Sequence, residues 1–137
     1  MKKKLNCILL IDDDEPTNYI SKFLIEEADC TEHIHIVQTG QSALDYLTND
    51  NIAVRPDLIF LDINMPAMNG WEFLDKYNKL EQKHKEGIVI VMLTTSLNPD
   101  DEIKASEMPC IAGFENKPLT SEKLDRVLKE YFPSYFF

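Results

Sequence analysis

Runs of apolar residues alternate with segments patterned at helical spacing along the whole chain. Residues 5–11 are nearly all apolar, as expected of a strand covered on both faces. Three aspartates end that run. Pro16, behind Asp14 and Glu15, then suits the first turn of a helix. Ile20, Phe23, Leu24 and Ala28 recur at helical spacing and predict the buried face of that helix, until residues 29–32 break the pattern. Residues 33–38 begin His-Ile-His-Ile, a polar alternation that suits an edge strand. After Thr39-Gly40, Ala43, Leu44 and Leu47 predict a short helix over 41–48, and a polar loop over 49–56 follows.

A third strand is predicted over 57–61. Phe73, Leu74, Tyr77 and Leu80 mark the next helix, and residues 79–86 read as its exposed end and a charged loop. Residues 88–93 are almost continuously apolar and give a fourth strand, ending in Thr94-Thr95-Ser96. Asn98 is a candidate cap for a short helix that Met108-Pro109 stops. Residues 110–114 predict the fifth strand. Thr120 or Ser121 caps a last helix carrying Leu124, Val127, Leu128 and Tyr131, and Pro133 ends it. Five βα units imply an α/β fold with a parallel sheet and right-handed crossovers. With the polar strand at an edge and strands 1, 3 and 4 buried, the order is 2-1-3-4-5, the flavodoxin-like doubly wound arrangement whose switch point lies between strands 1 and 3. Residues 1–137 read as one domain, with a core over 5–131 and an aromatic tail over 132–137.

The third strand runs into Asp62, and the chain must then turn. Pro66 lacks an N–H, and Asn69-Gly70 favours positive φ. Asp62 is therefore placed at a strand's carboxyl end, where parallel α/β sheets bind ligands. Composition narrows the function further. The formal net charge of −10 argues against nucleic acid or an anionic membrane as partner. Lys2-Lys3-Lys4 does not open a leader, because the apolar run behind it is interrupted by Asn6 and ends in acidic residues. No segment approaches membrane-spanning length. The three cysteines, Cys7, Cys30 and Cys110, have no CxxC spacing, which fits reduced thiols in the cytoplasm, with Cys7 and Cys110 packing in the core. His33 and His35 share one face of a strand, yet lack a third ligand at a recognisable spacing, so a polar edge is the better reading.

The strand ends carry the chemistry. Asp12-Asp13 follow strand 1, Asp62 follows strand 3, Thr94-Thr95 follow strand 4, and Lys117 follows strand 5. In the order 2-1-3-4-5 these converge. Three carboxylates in one place repel unless a cation joins them, and Mg²⁺ is the natural hard ion. A hydroxyl and an ammonium beside them complete a site for a phosphoryl group.

With Asp12-Asp13, Asp62-Ile63-Asn64-Met65-Pro66 through Gly70, Thr94-Thr95 and Lys117-Pro118 in this order, the chain resembles a response-regulator receiver domain of two-component signalling, from about Leu5 to Tyr131. The resemblance implies that Asp62 is the phosphoacceptor, that Asp13 binds Mg²⁺ directly with Asp12 acting mainly through water, and that the backbone carbonyl of Asn64 is a further ligand; Mn²⁺ is an expected substitute. It implies that Thr94 is the switch hydroxyl, Lys117 the ammonium on a phosphoryl oxygen with a cis bond to Pro118, and Phe114 the switch aromatic. It implies that Asn64 and Ser96 occupy the positions that tune dephosphorylation, and that Tyr19 either lies near where family members meet their kinases or simply packs. The domain is then not a conventional enzyme but catalyses its own phosphorylation and dephosphorylation. The implied partners are a sensor histidine kinase or hybrid kinase, of phytochrome type among others, and a downstream protein bound through the face of helix 4, strand 5 and helix 5. Nothing follows the last helix except the aromatic tail, so output by binding is expected, the tail either folding back or covering a partner or a second copy. Trp71 packs at a helix start or anchors a partner. Two alternatives stand beside this reading. One is a phosphorelay intermediate that passes phosphate to a histidine phosphotransfer protein. The other is an Asp-nucleophile phosphatase of haloacid dehalogenase type, although Asp62-Ile63-Asn64 lacks that family's second aspartate.

Overall fold

Five apolar runs become five strands: β1 (Leu5–Ile11), β2 (Thr31–Val37), β3 (Leu58–Leu61), β4 (Val89–Thr94) and β5 (Ile111–Asn116). The structure is a computed structural model that describes residues 4–136 apart from Ala53. Lys2, Lys3 and Phe137 lie outside the described residues, as does Ala53 of the predicted polar loop. The strands pair in the order β2-β1-β3-β4-β5, all parallel, as the pattern predicted.

Alternation along the central strands divides the core in two. Leu9, Ile11, Ile59, Leu61, Ile90 and Met92 face one layer. Ile8, Leu10, Leu58, Phe60, Val91 and Leu93 face the other. The first layer is closed by α2 (Gly40–Thr48) and α3 (Gly70–Asn78), through Ala43, Leu44, Leu47, Phe73, Leu74 and Tyr77. The second is closed by α1 (Glu15–Ala28) and α5 (Ser121–Tyr131), through Ile25, Leu124, Val127 and Leu128. The fourth helix, α4 (Pro99–Ser106), buries Ala105. Each of these five helices starts on a side-chain cap that satisfies an orphan N–H. Asp14 accepts from Thr17 N, Thr39 from Ser42 N, Asn98 from Asp100 N and Thr120 from Lys123 N. Asn69 and Glu72 form a reciprocal capping box at α3.

Three sequence readings need correction. Ile20 and Phe23 do not face the core: they are 49% and 52% exposed, Tyr19 is 74% exposed, and Ala28 is exposed. The buried face of α1 is Asn18, Ser21 and Ile25 instead. The helix is rotated because the Asn18 amide is engaged inward, its Nδ2 donating to the Asp12 carbonyl at 2.9 Å. Second, positive φ falls at Ala67, at 66°, whereas Asn69 has φ −78° because it serves as a helix cap. Third, the charged 79–86 segment holds a 3₁₀ turn over Gln82–His84, with His84 buried and its Nε2 3.0 Å from Asp50 Oδ1.

Phe132 and Tyr135 of the aromatic end fold back on the domain. Phe132 is buried in the layer of α1 and α5, and Tyr135 of a short α6 (Pro133–Phe136) packs against the same cluster. Cys7 is buried and Cys110 half-buried, both as free thiols. His35 stacks on Tyr46 with centroids 4.2 Å apart, a packing role for that edge histidine. Trp71 packs partly against the core, with Lys104 of α4 over its ring at 4.7 Å.

Candidate phosphoacceptor site

The sheet's hydrogen-bond ladder runs past the strand ends and so aligns the polar residues that follow. Asp12 N donates to Val37 O at 3.1 Å, Asp62 N to Ile11 O at 3.0 Å, and Lys117 N to Thr94 O at 2.8 Å. Asp12, Asp62, Thr94 and Lys117 thus meet at one end of the sheet.

Asp12, Asp13 and Asp62 each offer a carboxylate oxygen within 4.8 Å of the others. Asp12 and Asp62 are buried, while Asp13 is exposed. Lys117 Nζ lies 2.5 Å from Asp12 Oδ2 and 3.3 Å from Asp62 Oδ2, so one ammonium is shared by two buried carboxylates. Asp12 Oδ1 also accepts from Asp14 N at 3.0 Å, and Asp62 Oδ1 from Asn64 N at 3.4 Å. Burial pushes the Asp62 carboxyl above its ordinary range and the charge of Asp12 pushes it further, against the pull of Lys117. Burial alone would lower Lys117; the hydrogen bond and charge of Asp12, joined by Asp62, outweigh it and raise the ammonium's pKa.

Two carboxylates with one shared cation, and a third carboxylate at the rim, are short of positive charge. Their all-oxygen donor set suits a hard divalent ion such as Mg²⁺. Receiver domains bind Mg²⁺ at such an acidic pocket.

The loop after Asp62 is shaped for a close approach. A Cβ at Gly70 would stand 2.6 Å from the Asp62 carbonyl oxygen and 3.0 Å from Ile63 Cα. Gly70 is therefore glycine for want of space, with its N–H bonded to Ile63 O at 2.8 Å. Thr94 is fully buried, and its Oγ1 accepts from Ser96 N at 3.1 Å. The Lys117–Pro118 bond is cis. Phe114 is half-buried, in register with Met92 and packed against the core layer of α2 and α3. Asn64 is exposed beside Asp62, and Ser96 is half-buried two residues beyond Thr94.

Sequence reasoning missed Asn18. The signal was a polar residue spaced with Ser21 and Ile25 at three and seven positions, a second helical face that the larger apolar residues Ile20 and Phe23 obscured.

Known proteins share this chain's sequence and fold. The family model described as the response regulator receiver domain matches residues 8–129. The chain is 30% identical, over 90% of its length and 79% of the relative's, to the probable methanogenesis regulatory protein FilR2 of Methanothrix harundinacea. It is 32% identical to a probable cyclic di-GMP phosphodiesterase of Vibrio cholerae, of which it covers 25%. A solved two-component response regulator from Cytophaga hutchinsonii has a TM-score of 0.87 and 31% identity, with 96% of this chain and 99% of that chain covered. The acidic cluster, the buried threonine and the shared lysine thus sit in a sheet of the same order and a matching sequence, and the chain belongs to the response-regulator receiver-domain family of two-component signalling.

Proposed function

We propose that Asp62 takes a phosphoryl group from the phosphohistidine of a sensor histidine kinase or hybrid kinase, in a Mg²⁺-dependent reaction, and that the phosphorylated chain signals by binding a downstream protein. The observation that carries this reading is the juxtaposition at Asp62: a buried carboxylate that shares Lys117 with Asp12 and lies in one 4.8 Å cluster with Asp12 and Asp13. Asp13, Asp62 and the carbonyl of Asn64 would hold Mg²⁺ or Mn²⁺, with Asp12 acting through water, and the ion would neutralise charge in a loose phosphoryl transition state.

An Asp62 carboxylate oxygen attacks phosphorus in line. The new O–P bond forms as the P–N bond breaks, and the donor imidazole nitrogen keeps that electron pair. Lys117 then pairs with a phosphoryl oxygen and the Thr94 hydroxyl donates to another. Phe114 moves inward, and the face of α4, β5 and α5 is biased to a second state, as far as these differential contacts allow. Asn64 and Ser96 set the phosphoryl lifetime.

The donor docks on α1, where Tyr19, Ile20 and Phe23 are exposed. A groove of about 250 Å³, lined by Thr17, Ile20, Ser21, Thr95, Lys117 and Pro118, joins Ile20 of this patch to the lysine of the site. Incubation with acetyl phosphate and Mg²⁺, followed by intact-mass measurement, tests the chemistry. One labile phosphoryl adduct is expected on the native chain and none on Asp62→Asn or without a divalent ion. Equal labelling of Asp62→Asn, or no adduct at all, would overturn the reading.

A further inference from the structure

Ser96 has all three of its polar groups engaged, each by a different element. Its N–H donates to Thr94 Oγ1 at 3.1 Å, at the end of β4. Its hydroxyl donates to Asp101 Oδ2 at 2.5 Å, in the first turn of α4. Its carbonyl accepts from Asn116 Nδ2 at 3.3 Å, at the end of β5. The connections continue outward. Asn98 N, at the α4 cap, donates to Ser96 Oγ at 3.3 Å. The Asn116 carbonyl accepts from Lys123 Nζ of α5 at 2.6 Å. We propose that Ser96 is a positioning residue that couples the state of the phosphoacceptor pocket to α4 and β5. This rests on the reading of Asp62 as phosphoacceptor.

Movement around Ser96 is constrained. Thr94 is fully enclosed, so its hydroxyl has few positions open to it. A hydroxyl that turns to a new oxygen on Asp62 either takes the Ser96 amide with it or leaves that N–H without its acceptor. A free loop would absorb the change within residues 95–98. Here the next two polar groups of the same residue are fastened to Asp101 and Asn116, so displacement of Ser96 alters the α4 cap and the β5 terminus together. Leu97, 87% exposed, follows Ser96 directly and is the apolar side chain whose placement reports that displacement to a partner. This route runs along the β4–α4 loop and is separate from the inward movement of Phe114. The two-state element that both sites bias is the first turn of α4.

The test measures amide hydrogen exchange in the first turn of α4, residues 100–103, in the full chain before and after acetyl phosphate and Mg²⁺. Intact mass gives the phosphoryl occupancy of each sample. In the native chain, phosphorylation should change exchange there by about fivefold or more, the scale of ordinary site-to-site coupling. Because Ser96 also sets the phosphoryl lifetime, the change is read per phosphorylated molecule, and on that scale Ser96→Ala and Asp101→Ala should each lose more than half of it. The double variant should lose no more than either single one, since both remove one link. Ser96→Thr, which keeps a hydroxyl, should restore the response and so separate coupling from mere loop structure. A full native response in Ser96→Ala, or losses that add in the double variant, would overturn the coupling while leaving Asp62 as acceptor. Failure of the native chain to take up phosphoryl would overturn both.

Discussion

Helices α1 and α5 cover the same side of the sheet, yet they are built by opposite rules. α5 turns Leu124, Val127 and Leu128 inward and its charges outward, as an amphipathic helix should. α1 turns Asn18 and Ser21 inward beside Ile25, and leaves Tyr19, Ile20 and Phe23 in solvent. The difference follows from what lies at the N-terminal end of each. α1 starts three positions after Asp12, on the Asp14 cap, and Asn18 is needed to hold the Asp12 carbonyl. α5 starts after the cis Lys117–Pro118 bond, with its cap, Thr120, and buried Leu119 between it and the pocket. One helix serves packing; the other gives up part of its packing to hold the acidic cluster and shows a surface instead.

The largest effects should therefore be on the α5 side. Leu124→Ala and Phe132→Ala each remove a buried side chain from the layer shared by α1, α5 and the aromatic end, and each should cost about 3 kcal/mol in urea unfolding. A cost below about 1 kcal/mol for Phe132→Ala would mean that the aromatic end adds little to that layer. Next in size is a titration. Cys30, buried in the same layer, has its thiol pushed up by burial to about 11 from an ordinary 9.0. The unfolded chain ionises first, so the native state is penalised as pH rises from about 9 to about 11, by roughly 2–3 kcal/mol at most. Below about pH 8 both states are protonated and Cys30 contributes no slope. Chemical denaturation in steps across pH 8–11, together with slow labelling of Cys30 by a thiol reagent at pH 8, would show this. Rapid native-state labelling would contradict it.

Smaller still is Asn18→Ala, which should cost about 1–2 kcal/mol by leaving the Asp12 carbonyl without its buried donor. The same substitution should slow acetyl-phosphate labelling of Asp62, because Asp12 is paired with the lysine that Asp62 shares. A loss of stability with unchanged labelling would make Asn18 a packing residue only.

The contrast also explains what could be read from the residues alone. Strand positions and order were legible because β1, β3 and β4 are buried on both faces and read as apolar runs, while His33 and His35 marked the edge. The residues gathered at the strand ends were legible for the same reason, since a polar residue that ends an apolar run has one place to be. The phase of α1 was not, because apolar periodicity assumes that burial is the only demand on a helix, and here a hydrogen bond to Asp12 sets the rotation. The turn after Asp62 was misread in detail for a similar reason. Asn69 is recruited as a cap and Gly70 is required by the nearby Asp62 carbonyl, so the left-handed conformation moves to Ala67. The engagements of Ser96 with Asp101 and Asn116 lie 5 and 20 positions away, on α4 and β5, and no local pattern encodes them.

The smallest effect on stability should come from the outward face of α1, and it sharpens the contrast most. Phe23→Ser and Ile20→Ser replace exposed apolar side chains, so each should alter unfolding free energy by no more than about 0.5 kcal/mol. If this face exists to receive the phosphoryl donor, the two substitutions should leave labelling by acetyl phosphate unchanged, because a small donor needs only the pocket. Transfer from a phosphorylated kinase should fall by about tenfold or more, the scale expected when an apolar anchor is removed from the centre of an interface. The corresponding change on α5, Lys129→Ser, should alter neither reaction, since that position lies away from the groove that joins Ile20 to Lys117. A kinase that phosphorylates Phe23→Ser and Ile20→Ser at the native rate would remove docking as the reason for the exposed patch. The inward demand of Asn18 on Asp12 would then be the sole cause of the rotated helix, and Ile20 and Phe23 would be exposed as its by-product.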